Sequence, residues 1–131
     1  MKVYKLVRLG KDGNCYPLFI DKHKPFQFGN VMHAEFHPTK GFAPRSVDDN
    51  QSGGYHCCFH PYAPHLSIHL ASGESRVWIE CEASGKTKEY KRPWNQGGNW
   101  ILVEYLKPVR IVPWKEVQKL VETLLKEVKH G

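Results

Sequence analysis

Residues 2–9 alternate, with Val3, Lys5 and Val7 set against Tyr4, Leu6 and Arg8. A period of two in β-branched and aromatic residues predicts a strand with two distinct faces. Gly10-Lys11-Asp12-Gly13 follows. Two glycines around an aspartate supply the positive φ of a hairpin loop, so 15–20 is expected to return as a second strand. Residues 21–53 hold no sustained period, and prolines and glycines break them repeatedly. A short strand or helix turn is expected over 31–36 and a polar loop over 45–54. Long loops in compact domains are uncommon unless they bind something.

A strand is predicted over 54–59, ending at His60-Pro61 because the residue before proline is pushed out of the helical region. A proline-containing turn or short helix follows over 61–69. The next strand, 75–82, sets Val77, Ile79 and Cys81 against Arg76, Trp78, Glu80 and Glu82. A turn at 83–86 separates it from strands over 86–93 and 100–105, which the glycine-containing 94–99 joins. The last strand is 109–112. Pro113 then opens a helix in which Trp114, Val117, Leu120, Val121, Leu124, Leu125 and Val128 recur at steps of three and four. That is the stripe of an amphipathic helix packed on a core. Lys119, Lys126 and Lys129 lie off it and form a basic face. The predicted class is α+β over a single domain, 1–131. It has an N-terminal β-hairpin, mixed or antiparallel sheets, a short central helix and a C-terminal amphipathic helix.

The chain of 131 residues suits one domain and can bury a core without a metal or disulfide staple. With 40% apolar and 24% charged residues it is not a disordered chain. No apolar run approaches the roughly 18 residues of a membrane span. The charged start, Met-Lys-Val-Tyr-Lys-Leu, lacks the apolar region of an export signal. A cytoplasmic protein without membrane contact is therefore expected, with its four cysteines as reduced thiols. The net charge of +6 and pI of about 9.2 change the picture most, because they favour polyanionic partners.

Candidate chemistry concentrates in 53–82, which holds three of the four cysteines and four of the eight histidines. His56, Cys57, Cys58, His60, His65 and His69 are metal donors by type, and His65 and His69 have helical i, i+4 spacing. The set lacks a Cys-x-x-Cys pair, and Cys57 and Cys58, adjacent on a strand, point to opposite faces. No glutamate lies between the two histidines, so no metal site is assigned. A Cys58 nucleophile would need a base aimed at it, which His56 and His60, its sequence neighbours on a strand, do not supply. A nucleotide pocket is the third candidate. Arg8 and Arg45 offer planar donor forks for phosphate, and Tyr55 and His56 a stacking surface and a hydrogen-bonding edge. Trp94 and Trp100, beside Gly97 and Gly98, either stack on single-stranded nucleic acid or cap a core edge.

In order along the chain stand Tyr4-Lys-Leu-Val, Tyr16-Pro-Leu-Phe-Ile, Gly54-Tyr-His, Pro61-Tyr-Ala-Pro-His-Leu, Val77-Trp-Ile-Glu, Gly98-Asn-Trp and Lys107-Pro-Val-Arg-Ile-Val. This order resembles ADP-ribosyltransferase-like domains, in particular those of uncharacterised phage and mobile-element proteins of gut bacteria. The resemblance implies NAD or a nucleotide as ligand. Arg8 would match the first-strand residue that holds the nicotinamide ribose, and Tyr55 or His56 would face the nicotinamide. It also implies a catalytic Glu at the start of a late strand, where this chain reads Gly98-Asn99-Trp100-Ile101. Glu104, further along, is the candidate in its place, and the displacement puts transferase activity in doubt. The alternative expectation is a non-catalytic basic accessory protein that binds nucleic acid or a host protein.

Overall fold

Strand β1 (Lys2–Leu9) runs through the middle of the fold. Its hairpin partner β2 (Cys15–Tyr16) returns antiparallel, with Arg8 opposite Tyr16 and Leu9 opposite Cys15. The loop closes as its glycines require: Gly13 sits at φ 83°, and Gly10 N–H donates to the Asn14 carbonyl at 2.8 Å. The return strand is two residues long rather than six, because Pro17 has no N–H for the ladder. The remaining elements are β3 (Met32–His33), β4 (Tyr55–Cys58), β5 (Ser75–Tyr90), a 3₁₀ turn (Trp94–Gln96), β6 (Trp100–Ile111) and α1 (Trp114–His130). The computed structural model describes residues 1–19, 22–35, 46–47, 53–66, 68 and 74–130, with side chains to residue 128.

Among the described residues every ladder is antiparallel, and six strands form one sheet. Strand β1 pairs with β4, β4 with β6, β6 with β5, and β5 again with β1, so the ladders close a ring. The two long strands close it by bending. Expected breaks at 83–86 and 106–108 are bulges inside continuous strands. Ser84 faces Tyr105 and Thr87 faces Val103, so β5 carries one extra residue there, with Gly85 at φ 77°. Glu80 faces Arg110 and Cys81 faces Pro108, so Val109 is the extra residue on β6. A bulge is one of the few sites where a proline fits a ladder.

Alternation sorts the side chains into two clusters. Val3, Val7, Cys57, Ile79, Cys81, Ile101, Val103 and Leu106 pack on one side of the strands, together with Cys15 and Phe26. Tyr4, Leu6, Cys58, Trp78 and Trp100 pack on the other, under Ala63, Val112 and Val117. Both faces of β1 and of the first half of β5 are therefore core, although the sequence shows only alternation.

Of the proline-containing turn or short helix expected over 61–69, the described part forms turns, with Leu66 N–H donating to the Ala63 carbonyl at 3.0 Å. Pro61 and Pro64 remove donors, and each disfavours the helical conformation at the residue before it. Helix α1 begins at the expected place, where the Pro113 carbonyl accepts from Glu116 and Val117. It docks on a stripe narrower than its apolar pattern. Val117 and Leu124 are buried and Val121 half-buried, while Trp114, Leu120, Leu125 and Val128 stay exposed. At its N-terminal end Arg110 clasps Glu116 at 2.8 Å and the buried Glu80 at 3.1 Å. Among the described residues no helix is long and apolar enough to cross a membrane.

Candidate nucleic-acid interface

The end of β5, the 3₁₀ turn and the start of β6 form one continuous structure. Pro93 starts the turn, and its carbonyl accepts from Gln96 at 2.8 Å and from Gly98 at 3.2 Å. Gly97 and Gly98 leave it at φ 99° and 76°, a conformation that favours glycine. The turn places two tryptophans differently. Trp100 is 8% exposed and its indole N–H donates to the Gln96 carbonyl at 2.8 Å, so it caps the outer core. Trp94 is 41% exposed. Its benzo edge rests on Gly98, where a β-carbon would lie 2.8 Å from the ring, and the Tyr62 ring stands 5.6 Å away.

Arg92 is fixed against the same cluster. Its guanidinium lies 4.4 Å over the Trp100 ring and 5.6 Å from that of Tyr90, with His65 Nε2 at 3.4 Å. Burial and the Arg92 charge hold His65 below its ordinary pKa. An open groove of about 460 Å³ runs past Trp94 and Arg92, bounded by Phe59, His60 and Leu124. Glu89 and Asn99 line it too, and the Asn99 amide donates to the Glu89 carboxylate at 3.1 Å. The groove thus joins a flat open ring, a guanidinium and a hydrogen-bonding carboxylate on a positively charged chain.

Comparison with known protein families, curated proteins and solved structures finds no match.

Of the residues expected to line a nucleotide pocket, Arg8 and His56 share one face of the strands and Tyr55 takes the other. Arg8 pairs with Glu74, donates to the Lys22 carbonyl at 2.9 Å and lies 4.6 Å over the Tyr16 ring. Tyr55 packs against the inner cluster and donates to the His33 carbonyl at 3.3 Å. His56, its neighbour on the strand, turns to the other face, where Nδ1 meets the Tyr90 hydroxyl at 2.6 Å. Burial is the main reason the Tyr90 phenol is pushed up. Arg45 lies outside the described residues. Glu104, on β6, is 14% exposed, lies 3.6 Å from His33 Nε2 and accepts the Lys86 backbone N–H at 3.2 Å.

The thiols are core groups. All four cysteines are free and buried, and Cys57 is pushed up to about 11, mainly by burial. Cys58 and Cys81 are raised further for the same reason. Cys57 and Cys58 divide between the two clusters, as alternation requires. Among the described residues no three His, Cys, Asp or Glu side chains gather to hold a metal; His69 lies outside them.

Sequence reasoning picked out Trp94 and Trp100 but not Arg92, Glu89 or Asn99. The available signal was Lys88-Glu-Tyr-Lys-Arg-Pro-Trp94, where basic and aromatic residues interleave just before the paired glycines.

Proposed function

We propose that this chain is a non-catalytic, basic accessory protein that binds single-stranded nucleic acid in the groove beside Trp94. The observation that carries the reading is the indole itself. It is a large apolar ring resting on the glycine turn, open above, and lining one groove with Arg92. Base stacking on such a ring contributes about 1–3 kcal/mol per base and tolerates any sequence. The net charge of +6 supplies the attraction for phosphate. The strongest nucleophiles of the chain, its thiols, are buried and protonated, which favours binding over catalysis.

The test is fluorescence anisotropy with a labelled 12-mer of single-stranded DNA at two salt concentrations. Saturable binding that weakens steeply with salt supports the reading, because each neutralised phosphate releases counterions. No binding at low salt would overturn it.

A second reading follows the ADP-ribosyltransferase-like resemblance, with NAD as ligand. It is supported by Arg8 and His56, which strand alternation sets on the same outer face. A thermal-shift titration with NAD separates the two readings. Stabilisation that persists at high salt and vanishes in Arg8→Ala supports the NAD reading, and no stabilisation removes it.

A further inference from the structure

We infer that the groove selects an unpaired guanine among the bases that stack on Trp94; the inference rests on the single-strand reading above. The selecting group is Glu89. A carboxylate accepts hydrogen bonds through two oxygens and donates none at neutral pH. Guanine alone presents two adjacent donors on its Watson–Crick edge, N1–H and the N2 amino group, spaced to meet both carboxylate oxygens. Adenine and cytosine each set one amino donor beside a ring-nitrogen acceptor, which the carboxylate repels. Uracil and thymine flank a single N–H with two carbonyls, which it repels more.

The local structure prepares Glu89 for this role. It stands at the end of β5, one residue before Tyr90, and the Asn99 amide holds Oε1 at 3.1 Å from across the turn. That bond limits the rotamers of an otherwise exposed side chain and leaves capacity on the carboxylate for an incoming edge. Trp94 and Glu89 line the same groove, so a base stacked on the indole shares it with the carboxylate. Arg92, stacked on Trp100, lines the same groove and adds positive charge there. A bidentate edge contact discriminates between bases by roughly ten- to a hundredfold when well formed.

The experiment uses thymidine 12-mers, either uniform or with one central dG, dA, dC or deoxyinosine, against the intact protein and its Glu89→Gln variant. Glu89 is exposed and glutamine keeps its length, so the variant should keep the fold. The expected result is a roughly tenfold tighter complex for the dG strand than for the uniform strand. Deoxyinosine, which lacks the N2 amino group, should lose most of that gain, and dA and dC should show none. In Glu89→Gln the dG advantage over the uniform strand should fall to within twofold. Equal affinity for all five strands with intact binding would overturn the guanine inference and leave the single-strand reading standing. A dG advantage that survives in Glu89→Gln would assign it to another group and overturn the role of Glu89. No binding of any strand would overturn both.

Discussion

Replacing Gly97 by alanine tests how the turn is built, and Gly13 provides its control. Both glycines have positive φ, 99° and 83°. Placing a β-carbon in that region costs about 1–2 kcal/mol. Both substitutions also stiffen the unfolded chain, an opposing effect of about 0.4–1 kcal/mol. The surroundings differ. At Gly13 a β-carbon would meet nothing within 4 Å. At Gly97 it would fall on the backbone carbonyl oxygen of Tyr62, an atom that cannot rotate away. Subtracting one variant from the other cancels the backbone and unfolded-state contributions to first order and leaves the clash, about 1–3 kcal/mol for an overpacked site. For a domain of this size that corresponds to roughly 4–12 °C in Tm. Thermal and urea unfolding of both variants beside the parent give the answer. Gly97→Ala should melt well below Gly13→Ala. If the two melt within about a degree of each other, the turn does not pack on Tyr62, and the groove floor described above is wrong.

Two further outcomes are expected. The four buried thiols should react with a thiol reagent at pH 8 only as fast as the protein opens, since all four are buried and burial pushes the Cys57 thiol up; rapid stoichiometric labelling of the folded protein would contradict their burial. The Glu116 carboxyl is held below its ordinary value of 4.5, chiefly by its hydrogen bond with Arg110. A depressed carboxyl means the unfolded state binds its proton more tightly. Its contribution is therefore fully present above 4.5 and is lost as the pH falls through the folded-state value. Glu116→Gln should lower Tm near neutral pH and converge on the parent in stronger acid, and a constant difference across that range would refute the clasp.

The parts of the fold that were legible in the sequence are those set by local chemistry. Gly10-Lys11-Asp12-Gly13 specifies its hairpin, and Pro113 with the three-and-four repeat specifies α1. The misreadings arose where punctuation has two uses. Gly85 and Pro108 look like strand breaks, yet each sits at a bulge that lets a long strand bend and stay paired across the ring. Helix periodicity shows which residues share a face but not how much partner surface covers them, so Trp114 and Val128 belong to the stripe and remain exposed. The same limit applies at the groove. Both Trp94 and Trp100 lie beside Gly97 and Gly98, and only the reversal of the chain at the turn buries one and opens the other. Glu89 and Asn99 meet across ten residues, a pairing that depends on the β5–β6 register. The polar loop containing Arg45 falls largely outside the described residues.

The central claim is that Trp94 is the surface on which a base stacks. The most direct measurement compares Trp94→Ala with Trp114→Ala for binding to the same single-stranded 12-mer at low salt. Both tryptophans are exposed, at 41% and 52%, and only Trp94 lines the groove. Loss of one stacked base should weaken the Trp94→Ala complex about 5- to 100-fold, while Trp114→Ala stays within twofold of the parent. Equal affinities for the two variants, with both proteins folded, would contradict the account.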